Sequence, residues 1–351
     1  MEFAPPGRFT RRGLLQGALA AFTGAGSPGC TPDRLLTPYK YGRLVLSASG
    51  EPQAFDSRSV DCPFAFRHRG RFYMTYTGFD GTGYQTGLAS SRDLIAWHKE
   101  GAILRRDPTS PVAKYNVSLN WILRENDIRS PGELKRARGR YLGVYHAYPE
   151  AGLEQGPAVI GLAWSTDLFH WTLDPPCLRP EDGAAWERGG LYKPCLVEDA
   201  GTYYLLYNAK DAAPRWREQT GVATSTDLKT WKRYAANPII RNGPQGSPDE
   251  RFASDPCVLR DGRQWALFYY GLDAKGAARD LLATSPDLFH ADKCAQVLVD
   301  VGAPGSVDDR YAHKPSVIAH QGDLYHFYCA VTVQSGHEIR GISVARSRPW
   351  V

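Results

Sequence analysis

The stretch STDLFHW, residues 165–171, recurs along the chain as SRDLIAW (91–97), STDLKTW (225–231) and SPDLFHA (285–291). Successive copies begin 74, 60 and 60 residues apart, and a shorter relative, ARSRPW, follows at 345–350. A fixed period of this length is typical of propellers and other repeat arrays. The sequence therefore contains five related units.

Each copy follows a second repeated block, in which an apolar strand leads through a charged, Gly-rich turn to a strand dense in Tyr, Phe and Val. The five blocks are CPFAFRHRGRFYMTYTG (62–78), SPGELKRARGRYLGVYHA (130–147), KPCLVEDAGTYYLLYNAK (193–210), DPCVLRDGRQWALFYYGL (255–272) and KPSVIAHQGDLYHFYCAV (314–331). This composition is typical of β-hairpins. Segments such as TGLASS and TGVATS provide a third strand, and the Asp-Leu-x-x-Trp motif is a turn that leads to a fourth.

Four short antiparallel strands repeated five times predict an all-β, five-bladed β-propeller, whose radial closure leaves few exposed sheet edges. A β-sandwich is the alternative fold, but it does not explain a period near 60 residues. We assign residues 40–351 to the propeller and residues 31–39 to a linker. The strand-like run YGRLVLS, residues 41–47, precedes the first unit, and we expect it to close the ring by pairing with residues 341–345.

The composition describes a folded chain without a strong charge. Its 351 residues are 42% hydrophobic and 12% aromatic, which is enough to bury a large core. Of the formal net charge of +5, residues 1–30 contribute +2 (Arg8, Arg11, Arg12 and Glu2), which leaves +3. So small a charge does not indicate a nucleic-acid partner.

The N-terminus resembles a twin-arginine export signal, because Arg11 and Arg12 precede an apolar stretch that ends in small residues. The stretch is too short for a permanent membrane span. Cys30 is a candidate for lipid attachment, which is the one route to the membrane that the sequence offers. We therefore expect residues 1–30 to direct export to the periplasm, the cell envelope or the medium; an ordinary N-terminal extension is the alternative.

Six cysteines follow Cys30, and no CxxC or Cys/His spacing among them indicates zinc. Three of them stand beside the repeated prolines, where a free cysteine behaves as a small buried hydrophobe. We expect mostly free, buried thiols.

In a propeller the first strand of each blade lines the central channel, so the residues that precede the five repeated prolines should gather around one axial pocket. Those residues are Asp61-Cys62, Arg129-Ser130, Tyr192-Lys193, Ser254-Asp255 and His313-Lys314. Carboxylates, cations and aromatic rings around one pocket suit a polyhydroxylated ligand. The candidate substrate-binding residues are Arg129, Trp121, Trp186, Tyr192, Lys193, Tyr311, His313 and Lys314.

The hairpin blocks and the S-x-D-L-x-x-W turns resemble the five-bladed propeller glycosidases of glycoside hydrolase families 43, 32, 62, 117 and 130. In families 43 and 32, blade one offers an Asp just before a Pro, blade two another Asp, and blade three a Glu shortly ahead of its strand. The resemblance implies that Asp61 is the base or nucleophile, that Asp127 orients the sugar or tunes the acid, and that Glu187 is the acid. Asp255, directly before Pro256, is the fourth catalytic candidate.

Each of these carboxylates also has a structural interpretation. Asp61 could cap a turn, Asp127 could pair with Arg129, and Glu187 could be a solvated loop residue beside Arg188. The cations Lys193, His313 and Lys314 could hold a carboxylate ionised, bind a sugar hydroxyl or an anionic group, or simply neutralise the acidic cluster. Asp93, Asp167 and Asp227 are expected to cap turns, with Trp97, Trp171 and Trp231 packing between blades.

The sequence thus predicts a single-domain glycoside hydrolase that cleaves a glycan with paired carboxylates. A phosphate-dependent phosphorylase and a non-catalytic carbohydrate-binding propeller are the alternatives. No redox cofactor, metal site or nucleic-acid partner is expected, although a structural divalent cation in the channel stays open.

Overall fold

The computed structural model describes residues 33–350, and in this range it contains twenty β-strands and three short 3-10 helices (Asp33–Leu35, Pro180–Asp182 and Ala185–Glu187). The strands form five blades of four antiparallel strands each. The predicted all-β, five-bladed propeller is therefore confirmed. No helix among these residues is long and apolar enough to span a membrane. The proposed export signal and Cys30 lie outside the described residues.

The strands are numbered in chain order. Blade one contains β2 (Ser59–His68), β3 (Arg71–Phe79), β4 (Tyr84–Ser91) and β5 (Trp97–Leu104). Blade two contains β6 (Ser118–Ile122), β7 (Tyr141–Ala147), β8 (Val159–Ser165) and β9 (Thr172–Leu178). Blade three contains β10 (Gly190–Asp199), β11 (Thr202–Lys210), β12 (Glu218–Ser225) and β13 (Lys232–Arg233). Blade four contains β14 (Phe252–Asp261), β15 (Gln264–Leu272), β16 (Ala278–Ser285) and β17 (Asp292–Lys293). Blade five contains β18 (Tyr311–His320), β19 (Asp323–Gln334), β20 (His337–Arg346) and, from the other end of the chain, β1 (Tyr39–Lys40).

The N-terminal segment closes the ring, as the sequence predicts, but the pairing begins at Tyr39, inside the stretch predicted to be a linker. Strand β1 pairs with β20 through Tyr39↔Arg346 and Lys40↔Ala345, and the pairing continues at Leu46↔Ile342. The two ends of the chain therefore share blade five.

The inner strands of blades one, three, four and five carry the same β-bulge. Their pairing registers shift between Asp61 and Phe64, Tyr192 and Cys195, Ser254 and Cys257, and His313 and Ser316. At each bulge the residue before the proline has a positive φ: Cys62 (54°), Lys193 (48°), Asp255 (55°) and Lys314 (67°). This conformation is uncommon for residues other than glycine, and bulges of this kind re-aim side chains next to functional sites. The bulges turn these side chains toward the channel.

Blade two departs from the prediction, because its inner strand is Ser118–Ile122 and not the segment after Pro131. Residues 123–135 instead cross the far end of the channel. Their backbone bonds to blade one (Arg67 N to Gly132 O, 3.1 Å), to blade four (Ile128 N to Arg260 O, 2.9 Å) and to blade five (Ala319 N to Ser130 O, 3.0 Å). We call residues 123–135 the channel plug.

Arg124 anchors the plug. Its side chain is 1% exposed, donates to the carbonyls of Ala65 and Val317, and lies over the rings of Phe64 and Trp121. Because the plug closes this end, the channel opens to solvent at the other end.

Four blades share a buried latch, in which a Tyr of the second strand and a cation of the fourth bind one carboxylate. In blade three, Tyr207 donates to Glu187 Oε1 at 2.6 Å, and Arg233 Nε lies 2.9 Å from Glu187 Oε2. The corresponding sets are Tyr76, Asp56 and Lys99; Tyr269, Asp249 and Lys293; and Tyr328, Asp308 and Lys40. In these four blades, the latch holds the outer strand to the second strand.

The Asp-Leu-x-x-Trp turns are structural, as expected. Asp93 Oδ1 accepts the backbone N–H groups of Ile95 and Ala96, and Trp97 Nε1 donates to the carbonyl of Leu94. Trp97 also contacts Phe327 of blade five at a ring-centroid distance of 5.7 Å. The same bonds recur around Asp167 and Trp171.

Cys62, Cys177, Cys195, Cys257 and Cys329 are free thiols, whereas Cys294 is disulfide-bonded. The expectation of mostly free thiols holds for these residues.

Candidate functional site

A cavity of about 210 Å³ lies at the open end of the channel, where the bulged inner strands begin. Its walls are rich in aromatic rings and in ionisable groups. They include Tyr84, Tyr148, Tyr192, Trp216, Phe252, Tyr270 and Tyr311, together with His146, Glu154, Lys193, Glu218, Asp255, His313, Lys314 and Arg340. We call this cavity the axial pocket.

Asp61 lies beside the axial pocket in a buried ion-pair cluster. Lys314 Nζ and Arg340 Nη1 lie 2.8 Å and 2.7 Å from the same oxygen, Asp61 Oδ2, and the backbone N–H of Cys62 donates to Oδ1 at 2.7 Å. Burial alone would raise the pKa of Asp61, but the two cations hold it well below its usual range. Both oxygens are occupied by donors, so Asp61 is an anchor for Lys314 and Arg340.

Glu218 begins the third strand of blade three and is 4% exposed. Its Oε2 accepts from Ser254 Oγ (2.9 Å), Asn208 Nδ2 (3.2 Å) and Tyr270 OH (3.2 Å). Its Oε1 accepts from Trp216 Nε1 at 2.9 Å. Four neutral hydrogen-bonding groups therefore fix the orientation of this carboxyl group.

Asp255 lies deeper, at the bulge of blade four, and is 4% exposed. Asn208 Nδ2 donates to Asp255 Oδ1 at 3.0 Å, and Asp255 Oδ2 has no hydrogen-bond partner among the described residues. Burial raises the pKa of Asp255 to about 7, against the opposing charges of Lys193 and Lys314. Asp255 is therefore a carboxyl group that changes its charge near neutral pH.

One amide nitrogen connects the two buried carboxyl groups. Asn208 Nδ2 lies 3.2 Å from Glu218 Oε2 and 3.0 Å from Asp255 Oδ1, so these oxygens are at most 6.2 Å apart, the sum of the two distances. The two groups therefore face the same small volume of the axial pocket.

Glu154 stands at the mouth, on the loop between β7 and β8, with a side chain that is 40% exposed. Tyr84 OH donates to Glu154 Oε1 at 3.1 Å, and Lys314 Nζ lies 3.9 Å from the same oxygen. Glu154 is the carboxyl group of the axial pocket that water reaches most easily.

Two neutral histidines complete the polar wall. His313 Nδ1 donates to the carbonyl of Cys329 at 3.1 Å, which leaves Nε2 as an acceptor. His146 Nδ1 binds Asn120 Oδ1. Burial, together with neighbouring lysines, lowers the pKa of both rings well below the usual range. Both rings can accept a hydrogen bond from a hydroxyl group, and neither supplies a charge.

Lys193 differs from the other cations of the axial pocket. Its side chain lies at the floor, and among the residues that the structure describes no carboxylate oxygen lies within 4 Å of its ammonium group.

Trp216 forms part of the rim, with 38% of its surface exposed and its ring stacked on Phe252 at 6.2 Å. The pocket thus offers a donor at its floor and a flat aromatic ring at its rim.

Within residues 33–350, no group of three or more His, Cys, Asp or Glu side chains is arranged to hold a metal ion. The carboxyl groups Asp61 and Glu218 are instead hydrogen-bonded by cations or by neutral donors.

The sequence matches the glycosyl hydrolases family 32 N-terminal domain over residues 125–299. The fold matches the solved structure of a complex of BT0996 and RGII with a TM-score of 0.77 and 29% sequence identity, over 90% of this chain and 93% of its counterpart. This chain belongs to the five-bladed β-propeller glycosidase superfamily.

Curated relatives in this superfamily include hydrolases and a phosphorylase. The chain is 27% identical over 159 residues to a 1,2-beta-oligomannan phosphorylase of Thermoanaerobacter sp. (strain X514), which covers 44% of each protein. It is 28% identical over 161 residues to the raffinose invertase of Escherichia coli, which covers 44% of this chain and 32% of the invertase. The chain thus spans less than half the length of these two relatives. A second solved structure, a glycoside hydrolase, has a TM-score of 0.75 and 28% identity and covers 90% of this chain and 93% of that one.

The propeller brings together most of the residues that the sequence singled out. Tyr192, Lys193, Asp255, Tyr311, His313 and Lys314 line the axial pocket, and Asp61 lies directly behind Lys314. The expected convergence of Asp61, Asp255, Lys193 and His313 at one end of the channel is therefore observed. Their chemical roles stay predictions.

Asp127 and Arg129 are misplaced by the sequence analysis. They lie in the channel plug, at the end opposite the axial pocket. There Asp127 forms a backbone β-bridge with Arg260, and its Oδ1 accepts the backbone N–H of Arg129 at 2.8 Å. Pro131 resembles the bulge prolines, but it belongs to the plug. Blade two presents Asn120 at its own bulge instead.

Glu187 and its neighbour Trp186 are also misplaced. Glu187 is the latch carboxylate of blade three, 1% exposed, and Trp186 stacks on Tyr207 at 6.1 Å. Trp121 is buried against Phe64 and Arg124, below the axial pocket. The carboxylate that resembles the family acid in position is therefore a structural group.

Sequence reasoning missed Glu154, Glu218, His146, Trp216 and Arg340. Glu154 lies in the loop before β8 and Glu218 is the first residue of β12, and neither position belongs to a repeated motif. The repeat could have identified one further set of residues on the second strands. These residues lie fourteen positions after the four bulge prolines, at the pocket end of the propeller, and they are Thr77, Asn208, Tyr270 and Cys329.

Proposed function

We propose that this propeller is a glycoside hydrolase that removes one terminal sugar residue from a glycan. The observation that supports the proposal most is the presence of two unlike carboxyl groups in one blind pocket. Glu218 is buried among neutral donors, and Glu154 stands at the mouth. Glycoside hydrolysis requires one ionised and one protonated carboxyl group flanking the scissile bond.

Glu218 would act as the base or nucleophile. Its four donors fix the direction of the carboxylate without supplying a positive charge that would quench it. The donors also compensate for the burial of the charge. The structure therefore supports an oriented, reactive anion on the wall of the pocket.

Glu154 would act as the general acid. In a blind pocket that holds a terminal residue, the glycosidic oxygen lies at the mouth, where Glu154 stands and Asp255 does not. A bound glycan would cover the 40% exposed carboxyl group and exclude water from it. Asp255, on the floor, would bind a ring hydroxyl.

The size of the cavity supports exo action. Pockets that enclose drug-sized ligands measure roughly 300–1,000 Å³, whereas the axial pocket measures about 210 Å³. The channel plug closes the other end, so an internal segment of a polysaccharide cannot thread through. Tyr84, Tyr148 and Tyr192 supply apolar ring faces for one sugar.

Two observations favour a phosphorylase as the second candidate. A curated relative is a 1,2-beta-oligomannan phosphorylase, and Lys193 has no carboxylate partner within 4 Å among the described residues. Against it, Lys314 and Arg340 both bind Asp61, so neither is free to complete a site for a doubly charged anion. A hydrolase needs no such anion site.

The test is a screen of aryl glycosides, including furanosides, followed by oligosaccharides, with and without inorganic phosphate. We expect turnover without phosphate and release of monosaccharide alone from oligosaccharides. Glu218→Gln should reduce kcat by about 10²–10⁴-fold, while Glu181→Gln, an exposed carboxylate outside the pocket, should leave it unchanged. Phosphate-dependent turnover would establish the phosphorylase, and glycan binding without turnover would establish a carbohydrate-binding propeller.

A further inference from the structure

The five inner hairpin turns lie at the end of the propeller opposite the axial pocket, and their charges are distributed unequally. The turns of blades three, four and five each contain an acidic residue. Those of blades one and two, RHRGR (67–71) and KRARGR (135–140), contain six arginines, one lysine, one histidine and no acid. The asymmetry concentrates positive charge on two adjacent blades.

Tyr141, the residue after the second basic turn, connects the two turns. His68 Nε2 lies 3.2 Å from Tyr141 OH, and the His68 and Tyr141 ring centroids are 5.5 Å apart. The guanidinium group of Arg136 lies over the same Tyr141 ring, 4.1 Å from its centroid. Burial and the charges of Arg69 and Arg136 lower the pKa of His68, as expected where cations crowd together.

Most of these arginines have no acidic partner. Arg67 pairs with Glu133 at 3.3 Å and Lys135 with Glu198 at 2.5 Å. Within residues 33–350, no carboxylate oxygen lies within 4 Å of the remaining five guanidinium groups, which belong to Arg69, Arg71, Arg136, Arg138 and Arg140. Four of the five are exposed, and Arg71 Nε is a buried donor without a hydrogen-bond partner. We call these five residues the arginine face.

Two members of the arginine face are held in place by aromatic rings. The guanidinium groups of Arg136 and Arg140 lie over the rings of Tyr141 and Trp164, 4.1 Å and 4.6 Å from the ring centroids. Guanidinium forks bind carboxylates in a planar, two-point geometry that lysine cannot reproduce. Several ordered forks side by side suit a ligand that repeats a carboxylate along its length.

We propose that the arginine face is a second, non-catalytic binding surface for a carboxylated polysaccharide. The choice of a glycan rests on the proposed function, because a glycosidase gains from being held on the polymer that carries its substrate. The face lies at the plugged end, so a bound polymer leaves the mouth of the axial pocket free. Carboxylate contacts of this kind weaken as salt rises.

The experiment is affinity electrophoresis of the full chain in gels that contain polygalacturonate, with dextran as the neutral comparison. We expect polygalacturonate alone to retard the wild type, and the retardation to disappear in high salt. The triple variant R69Q/R136Q/R138Q should bind at least about fivefold more weakly, since each exposed guanidinium–carboxylate contact contributes modestly. The matched variant R43Q/R188Q/R241Q removes the same charge elsewhere and should bind as the wild type does.

Equal retardation of the two triple variants would overturn the proposal, since the effect would then follow net charge alone. Absence of retardation by polygalacturonate would overturn the proposal as well. If the protein then binds phosphatidylglycerol vesicles, the ligand of the arginine face is an anionic membrane and not a polysaccharide. Circular dichroism and thermal unfolding of both variants check that they are folded. The result does not depend on turnover, so a failure of the proposed hydrolase and a failure of the arginine face are separately visible.

Discussion

At the scale of single residues, the axial pocket shows how environment divides four carboxyl groups among different tasks. Asp61 is neutralised by Lys314 and Arg340, whereas Glu218 accepts hydrogen bonds from neutral donors. Asp255 has one unpartnered oxygen and a pKa near 7 because it is buried. Glu154 is open to water. The residue type is nearly the same in all four cases, so neighbours and burial decide the chemistry.

Asp255→Asn tests this division through stability. Burial raises the pKa of Asp255 in the folded chain to about 7, above the ordinary value of about 3.9. Its stabilising effect is therefore complete below the ordinary value and is lost as pH rises through about 7. Asn can still accept from Asn208 but cannot ionise. We expect the Tm of the variant to exceed that of the wild type at pH 8, with a smaller or reversed difference at pH 5.

Asp61→Asn provides the matched comparison, because the pKa of Asp61 is held well below its usual range and the residue is ionised at both pH values. Its removal should lower the Tm at pH 5 and at pH 8 alike. A Tm difference for Asp255→Asn that is identical at the two pH values would show that Asp255 does not titrate between them.

At the scale of elements, the N-terminal strand is a structural part of blade five. Lys40 supplies the latch cation for Asp308 at 2.7 Å, and Leu46 is 5% exposed against Ile342. We expect deletion of residues 38–48 to leave the carboxylate of Asp308 buried without its cation. Removing one partner of a buried pair costs about 3–5 kcal/mol, so the Tm should fall by about 5 °C or more.

Deletion of residues 1–29, which removes no cysteine, is the control, and it should leave the Tm unchanged. Lys293→Met, which removes the equivalent latch cation within blade four, calibrates the effect of the ion pair alone. If deletion of residues 38–48 is no more destabilising than Lys293→Met, the strand does not close the ring.

The sequence predicts features that follow from local backbone geometry, but not those that tertiary contacts decide. Proline at an inner-strand bulge is a local requirement of the backbone, so it repeats and is visible in blades one, three, four and five. Pro131 and Glu187 satisfy the same local pattern, but tertiary contacts place one in the channel plug and the other in a latch. Glu154 stands in a loop and Glu218 at the start of β12, and no repeat marks either position.

At the scale of the whole molecule, closure at two places makes a pocket out of a channel. The ring closes through β1 and β20, and the channel closes through the plug, which is fixed by Arg124 and by bonds to blades one, four and five. The arginine face lies at the plugged end and the carboxyl groups at the open end. The propeller thus separates the surface proposed to hold a polymer from the pocket proposed to cut it.

In the proposed mechanism, Glu154 protonates the leaving group while Glu218 acts as the ionised partner. The most direct measurement is kcat/KM of Glu154→Gln, Asp255→Asn and the wild type on aryl glycosides whose leaving groups span a wide range of acidity. A missing general acid costs about 10²–10⁴-fold on poor leaving groups and little on activated ones. We predict this dependence for Glu154→Gln and a uniform loss for Asp255→Asn. A uniform loss for Glu154→Gln together with leaving-group dependence for Asp255→Asn would contradict the account and place the acid on the floor of the pocket.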